Sequence, residues 1–561
     1  MFTGLPKGAL PLARETEATD RNEKAMSTKL AEKHKLAALL LIVALGLSLR
    51  LRGLGSVGFN EDEIQKVEAA RSYLRGNFSV NLEHPMLMKS LIAVSLSAAD
   101  VWNRRMGQTH EIPEEVSVRL PNVVFGSLMA VVIFLLAQEL FGIEIALLSA
   151  LFWATGTIAI MVNRVAKEDT LLVLFTWLGY YFYLRAKRVA TADPQRAGKY
   201  YLASGASFGL MLASKYFPHY LGLNALYHHI RGKTNTSRPL GRRDYVLFLG
   251  TCAFVFFLFN PIFLLPGTVR YMFHYIQGGS ITHHGYLMMG HLYSEEAARL
   301  RGGMPIYFYS LFLTLKTPLP ILGALIFGLV ETWKSRREPG PSFLIFMFLA
   351  WIVPFSLLSS KWFRYMLAWM PAVYIIAAIG VARIFTWFSA LADRELDRRL
   401  APAFVAVFAL VFLAVPVWAV AKSAPYYSLY LNPLGFGRPG YYFPHDEMND
   451  MGLREAIEQI CDEAPIGASV GGEAGTVFNY YFHKFGRDDL HYFELSNQTK
   501  RLEAPPSAYL VVQDGRKYFE NISFIQKVES YQAPIQTVEI GGAAAVRVYR
   551  DEQFVELRGA R

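Results

Sequence analysis

Apolar residues along this chain gather into long runs rather than into short alternations. The runs cover 37–54, 119–141, 144–161, 169–187, 244–266, 305–330, 342–360, 364–386 and 401–421. A helix of about 20 apolar residues crosses about 30 Å of hydrocarbon, so each run predicts a spanning helix. The stretch 200–230 is too long for one helix and is interrupted at Ser214-Lys215. It predicts a hairpin of two short helices, which brings the expected count to eleven. The first run follows a polar tail, 1–35, and no A-x-A-like site comes after it, so it is not read as a cleavable signal. Beyond residue 421 the pattern changes. An amphipathic helix is predicted over 451–460 and short β-rich runs over 508–512, 537–540 and 545–549. The expected fold is an all-α polytopic membrane bundle, 36–421, followed by a small α/β or α+β domain, 422–561.

The segment 85–101 is apolar but only about 17 residues long, the lower end of the spanning range. Counting it as a span would invert every later loop. The positive-inside rule decides the matter. With 85–101 lying along the interface and the N-terminus inside, the inner loops become 185–199, 231–243, 331–341 and 387–400. Arg185, Lys187, Arg188, Arg196 and Lys199 fall in the first, and Arg231, Lys233, Arg238, Arg242 and Arg243 in the second. Lys334, Arg336 and Arg337 fall in the third, and Arg394, Arg398 and Arg399 in the fourth. The tail 1–35 adds seven further Lys and Arg. Three long pieces are left outside: 55–118, 267–304 and the tail from about 422. The expected setting is a multi-pass plasma (inner) membrane, with a cytoplasmic N-terminus and an extracytoplasmic C-terminal domain.

Composition agrees. The 561 residues are 53% apolar and 18% charged, with mean hydropathy +0.24, against about 25% charged in soluble proteins. Two cysteines, Cys252 and Cys461, exclude a disulfide framework and a CxxC-type metal site. The net charge of +10 is largely the orientation signal just described, so nucleic acid is not an expected partner.

The outer charges carry the candidate chemistry. Asn60-Glu61-Asp62-Glu63 follows the first run. A carboxylate at the edge of low dielectric is a good general base, since desolvation raises its pKa. The plainer reading is a solvated turn with acids in the first turn of a helix. Arg50 and Arg52 sit at the outer end of the first run, where they either snorkel or clamp a phosphate. The turn Asn163-Arg164-Val165-Ala166-Lys167-Glu168-Asp169 is unusually charged, and Lys215 lies at the hairpin tip. An intramembrane lysine is a functional-site hypothesis, with snorkelling as its alternative. Loop 267–304 holds His274, His283, His284 and His291 among many glycines, with no strong metal-ligand spacing. Lys316-Thr317-Pro318-Leu319-Pro320 puts a lysine and two prolines inside an apolar run, and Lys361-Trp362-Phe363-Arg364-Tyr365 is again basic and aromatic. Carboxylates and cations thus converge on the outer face. The cations suit a lipid-anchored phosphate, and the acids suit activation of a hydroxyl or amine. A transporter would show inverted repeats and a midplane site instead.

Several motifs resemble those of the C-type polytopic glycosyltransferases that use lipid-phosphate sugars. The similarity is to the branch of protein O-mannosyltransferases and lipid A aminoarabinose transferases. They are Asp62-Glu63, the His84-Pro85-Met86-Leu87-Met88-Lys89 element, Arg119-Leu120-Pro121 with Phe125-Gly126, the Arg164 to Asp169 turn, and Lys215. His284-Gly285-x-Leu287 through Gly290, Lys316 to Pro320, and Tyr426-Tyr427-x4-Leu431-Asn432-Pro433 complete the ordered set. Met86 and Met88 stand where that family's element has Pro and Gly, and Glu61 adds a third acid.

The resemblance implies transfer of a hexose or pentose from a polyprenyl phosphate at the outer membrane face, with inversion. The acceptor, a protein, lipid A or a cell-envelope glycan, stays open. Asp62 would be the base, Glu63 would assist, and Asp169 would orient the site. Arg164, Lys215, Lys361 and Arg364 are the implied phosphate contacts. His84 and Lys89 would shape the site, with Arg50, Arg52, His284, Lys316 and Tyr365 as further substrate contacts. No cofactor is implied with certainty. A divalent metal stays open, because acids and histidines face the site without a clear ligand set. Two other classes remain: a transporter or flippase of a lipid-linked sugar, and a membrane-anchored binding protein whose tail 422–561 is the working part.

Overall fold

The structure, a computed structural model, describes residues 33–107, 110–232, 241–276, 285–294, 303–395, 400–505 and 507–551. The bundle opens with α1 (Lys33–Leu51), α2 (Glu61–Leu74) and α3 (Met86–Met106). It continues with α4 (Glu114–Phe141), α5 (Ile143–Ala154), α6 (Thr157–Asn163), α7 (Asp169–Val189), α8 (Pro194–Ser214) and α9 (His219–Gly232). Then come α10 (Arg242–Phe259), α11 (Pro266–Ile276), α12 (Phe308–Lys316), α13 (Leu319–Lys334), α14 (Pro339–Leu357), α15 (Met370–Glu395) and α16 (Ala401–Ser423). Among the described residues five helices are long and apolar enough to cross a membrane: α1, α4, α14, and parts of α15 and α16. α5 and α6 make a sixth if taken as one broken span, bent by 54°. The chain is therefore a multi-pass membrane protein. α7, α8, α10 and α13 lie in the same bundle but are too short or too polar to meet that measure alone. α3 is not among the candidate spans although it has 21 residues.

Two apolar runs and one loop differ from the expectation, each for a local reason. The run 305–330 is two helices: Pro318 cannot donate a backbone hydrogen bond and pushes Thr317 to extended backbone. The run 244–266 stops at Phe259, because Asn260-Pro261 follows. The loop expected over 185–199 is helical except for 190–193. Lys187 and Arg188 sit in the last turn of α7, where cations are favoured, and Asp193 accepts from the Arg196 amide to cap α8. The 200–230 hairpin does break after Ser214, with Lys215 in extended backbone between α8 and α9.

After α16 the chain passes through α17 (Pro444–Met448) and α18 (Leu453–Glu463), then β3 (Ser469–Gly472), α19 (Gly475–Lys484), β4 (His491–Glu494), β5 (Tyr509–Gln513), β6 (Gln536–Ile540) and β7 (Ala543–Arg550). The strands β1 (Tyr286–Met288) and β2 (His291–Tyr293) form a separate hairpin. The five later strands form one mixed sheet in the order β4-β3-β5-β7-β6, with β3 parallel to both β4 and β5. The three β-rich runs of the sequence become β5, β6 and β7.

Two apolar cores matter for the site. One fills the bundle and buries Trp153, Trp177, Trp351 and Trp369. The other joins α2 and α3 to the C-terminal sheet region: Phe59, Ile64 and Val67 belong to the same cluster as Leu453, Ile457, Phe478 and Tyr481. The break between α5 and α6 lies at Thr155-Gly156. A Cβ at Gly156 would fall inside the hydroxyl of Tyr374 and 2.8 Å from the Phe152 carbonyl oxygen. Gly156→Ala is expected to lower stability by about 1–3 kcal/mol through overpacking. Tyr374→Phe should recover part of that loss, measured as a coupling in thermal melts of the detergent-solubilised protein.

Candidate active site

Three consecutive acids open α2. Successive helical residues point about 100° apart, so the three carboxylates face three different surroundings. Asn60 caps the helix in a reciprocal capping box with Glu63. Glu61 accepts from Arg516 at 2.9 Å, and its amide donates to Asp450 at 3.0 Å, both on the C-terminal side. Glu63 is fully buried. It receives the Arg119 guanidinium at 2.8 and 2.6 Å and the Ala166 amide at 2.9 Å. Asp62, between them, is 41% exposed and faces the mouth of the bundle.

Lys167 donates to the Asp62 carboxylate, and Arg364 reaches the same oxygen at 3.2 Å. Lys66, one turn further along α2, pairs with the buried Glu168 at 2.9 Å and donates to Asn81 at 2.8 Å. Asp169 accepts from Lys215 at 2.9 Å. The Lys215 ammonium lies over the rings of Phe217 and Tyr365, and the Arg364 guanidinium over Trp362 and Tyr365. His84 approaches Glu168 at 3.8 Å. Three carboxylates, Asp62, Glu168 and Asp169, thus face four cations, Lys66, Lys167, Lys215 and Arg364. The local excess is positive.

The electrostatics reverse one expectation. Burial pushes the Asp62 carboxyl up, but the Lys167 ammonium and the Arg364 guanidinium outweigh it and hold the group well below the usual carboxylate range. Asp62 is an ion-paired carboxylate in this state, not one raised toward neutrality. Burial, followed by the nearby Lys66 and Lys167, lowers His84 well below its ordinary value and keeps the imidazole neutral. Burial also brings Lys167 down to about 8, so its charge is maintained chiefly by the acids beside it.

Of the residues expected at the site, the structure brings together Asp62, Asp169, His84, Lys215, Arg364 and Tyr365. The others lie elsewhere. Arg50 is completely buried, neither snorkelling nor open to a ligand. Its guanidinium holds Asn163 and the carbonyls of Gly46, Trp153 and Ala154 at the α5–α6 break. Arg164 caps α1, donating to the carbonyls of Arg50, Arg52 and Gly53 at 2.7–2.8 Å. Exposed Arg52 reaches the Ala421 carbonyl at 3.2 Å. Lys89 fastens the loop before α3 through the carbonyls of Asn81 and His84, and burial brings its ammonium down to about 7. Lys316 is buried against Glu447 at 2.6 Å, and Lys361 donates to the carbonyls of Met304 and Leu358. Glu63 is a structural anchor with its oxygens occupied. His283 and His284 lie outside the described residues. Among the described residues no group of three or more His, Cys, Asp and Glu side chains is arranged to hold a metal.

Sequence reasoning overlooked Lys66, Lys167 and Glu168. Lys66 lies four residues after Asp62 on the same helical face, a readable signal. Lys167 and Glu168 are the interior of the Arg164 to Asp169 turn. A narrow cavity of about 80 Å³ adjoins the site, lined by Asn60, Phe363, Tyr427, Asp446 and Asn449 among others, and joins the bundle mouth to the C-terminal region.

Comparison with known proteins follows the same line. Residues 110–263 match the family model described as dolichyl-phosphate-mannose-protein mannosyltransferase. The structure of ArnT from Cupriavidus metallidurans bound to undecaprenyl phosphate matches with a TM-score of 0.52 at 16% identity, covering 91% of this chain and 97% of that one. Its apo form scores 0.52 at 16% identity over 93% and 98%. The apo oligosaccharyltransferase of Archaeoglobus fulgidus scores 0.48 at 12% identity over 85% and 69%. No curated protein matches the chain. The family match is confined to residues 110–263, and the two ArnT structures share the fold of this chain over nearly its whole length.

Two outcomes are expected of this geometry. Glu63→Gln breaks a buried ion pair and should cost about 3–5 kcal/mol in thermal or denaturant unfolding. Lys167→Met removes a cation that favours ionised Asp62, so the Asp62 carboxyl should titrate at higher pH. An infrared carboxyl band that is absent in Asp62→Asn would report the shift, and an unmoved band would refute the pairing.

Proposed function

We propose that this protein is an inverting glycosyltransferase that moves a sugar from a polyprenyl-phosphate donor to an acceptor nucleophile at the outer face of a plasma (inner) membrane. The observation that carries the reading is the half-exposed Asp62 carboxylate, paired with Lys167 and Arg364 at the mouth of an otherwise buried and positively biased cluster. The undecaprenyl phosphate in the ArnT structure supports the same class of donor here.

In the resting state Asp62 is a weak base, because two cations stabilise its charge. A donor phosphate entering the cluster competes for Lys167 and Arg364. As they turn toward the phosphate, the Asp62 carboxylate loses their stabilisation and its basicity rises. Asp62 then accepts the proton of the acceptor hydroxyl or amine while the acceptor atom attacks the anomeric carbon. The bond from that carbon to the phosphate oxygen breaks on the opposite face, and its electron pair leaves with the polyprenyl phosphate. The leaving group gains a negative charge, so Lys167, Arg364 and Lys215 stabilise the transition state more than the ground state. Asp169 holds Lys215 in place, and neutral His84 packs beside Glu168 without adding charge.

The orientation rests on the distribution of basic residues. Lys187, Arg188, Arg231, Lys334, Arg336 and Arg337 all lie at the ends of helices away from Asp62, which supports a cytoplasmic N-terminus, with the site and the C-terminal region outside. The cavity beside Asn60 supports a role for residues 422–561 in admitting the acceptor.

Purified protein incubated with a panel of polyprenyl-phosphate sugars should release free polyprenyl phosphate from one of them. Asp62→Asn should reduce that turnover by at least about 10³-fold while melting normally. Lipid translocation in vesicles with no release of polyprenyl phosphate would favour the flippase reading instead.

A further inference from the structure

One sizeable cavity has none of the residues around Asp62 in its lining. It has a volume of about 700 Å³, within the range of small-ligand sites. Its walls come from the C-terminal ends of α4 and α7, from α9, from the turn between α13 and α14, and from α15. α4 carries Arg119, which grips Glu63 beside the site, and Leu140 and Phe141, which line the cavity. Those positions are about 21 residues apart, or about 32 Å along a helix, close to the thickness of a hydrocarbon core. α7 likewise begins with Asp169 at the site and ends with Lys187 and Arg188 at the cavity. The cavity therefore lies at the headgroup level of the opposite leaflet. Trp333 and Trp387, both strongly exposed, each follow a lining residue in sequence, as aromatic residues do at a membrane–water boundary.

We propose that this cavity binds one aminophospholipid, a lipid whose headgroup carries a phosphate and a primary ammonium. The charge pattern selects the class. Lys187, Arg188, Arg231 and Arg383 line the cavity together with Glu139, Glu331 and Glu338. A wall of cations alone would suit a bare phosphate, as basic pockets between membrane helices do. Here both signs surround one space. Arg188 pairs with Glu139 at 2.8 Å and Arg383 with Glu331 at 3.4 Å, so the carboxylates are held at the rim rather than repelled from it. Arg231 is steadied by the Arg337 carbonyl at 2.9 Å. The buried Nε2 of His228 lines the same space and has no hydrogen-bond partner among the described residues. The apolar wall of Leu140, Phe141, Ile145, Leu184 and Ile379 leaves a path for the start of an acyl chain. A glycerol headgroup would give the carboxylates no cation, and a choline headgroup has no N–H to donate.

The test uses the full chain, stripped of lipid in detergent and titrated with palmitoyl-oleoyl phosphatidylethanolamine, phosphatidylcholine or phosphatidylglycerol, with adducts counted by native mass spectrometry. One molecule of the ethanolamine lipid should be retained at least about 10-fold more tightly than either of the others. Glu338→Gln should remove that preference, Lys187→Gln should weaken retention of all three lipids, and Asp62→Asn should change neither. Melting temperatures in lipid-free detergent check that the variants fold. Equal retention of the three lipids by the unsubstituted protein, or a preference for phosphatidylglycerol, overturns the proposal. So do adducts that neither cavity substitution alters.

Discussion

The buried pair between Glu63 and Arg119 is the constraint on which the site depends. Arg119 also donates to the carbonyls of Leu54, Val57 and Gly58, and Glu63 accepts from the Ala166 amide. One guanidinium and one carboxylate thus tie together the chain leaving α1, the start of α2, the first turns of α4 and the turn that precedes α7. A buried pair of this kind holds only when its remaining donors and acceptors are also satisfied, and here they are. With Glu63 fixed toward the interior, helical geometry leaves Asp62 no freedom about the axis of α2, so it must face the bundle mouth. Lys167 comes from the turn that Glu63 fastens through Ala166, so the same pair positions both members of the Asp62–Lys167 contact.

Around Asp62 the charges are arranged so that acids and cations neutralise one another in pairs. Each of the three acids has a cation: Glu168 has Lys66, Asp169 has Lys215, and Asp62 has Lys167 and Arg364. Desolvation would make any of these ions costly alone. The pairing offsets that cost and sets the price in basicity, because a carboxylate held by two cations gives up its affinity for a proton. Of these three acids only Asp62 combines such pairing with exposure, so it alone among them could yield its cations to an incoming anion without unfolding its surroundings.

How much of this was legible in the sequence follows from what each residue interacts with. The break at Ser214-Lys215 and the later strands follow from local chemistry, and the sequence pattern located them. The acidic triplet was legible in both of its readings: Asn60 caps a helix with acids in its first turn, and one of those acids faces the site. The outer arginines were less legible. Arg50 and Arg164 bind backbone carbonyls at a helix break and a helix end, groups that come close only through tertiary contact, so charge at the outer surface could not separate them from a residue such as Arg364, which reaches Asp62. The direction of the Asp62 shift was hidden for the same reason. Desolvation can be inferred from an apolar flank, but the two cations that outweigh it come from positions 105 and 302 residues away.

The C-terminal region is joined to this machinery at a distance of one residue. Asp450 and Arg516 hold Glu61, the immediate neighbour of Asp62, and Tyr481 accepts from the Phe59 amide at 2.8 Å. Lys484 and Arg454 reach Glu115 on the first turn of α4, four residues before Arg119. The apolar core of the region is completed by Phe59, Ile64 and Val67 from the first outer loop. A tail separated from the bundle would expose that face and lose the helix it grips, and the bundle would lose one side of the clamp on α2. The geometry is therefore at odds with a membrane anchor carrying an independent working domain. It fits a single unit in which the C-terminal region and the start of α2 hold one another in place.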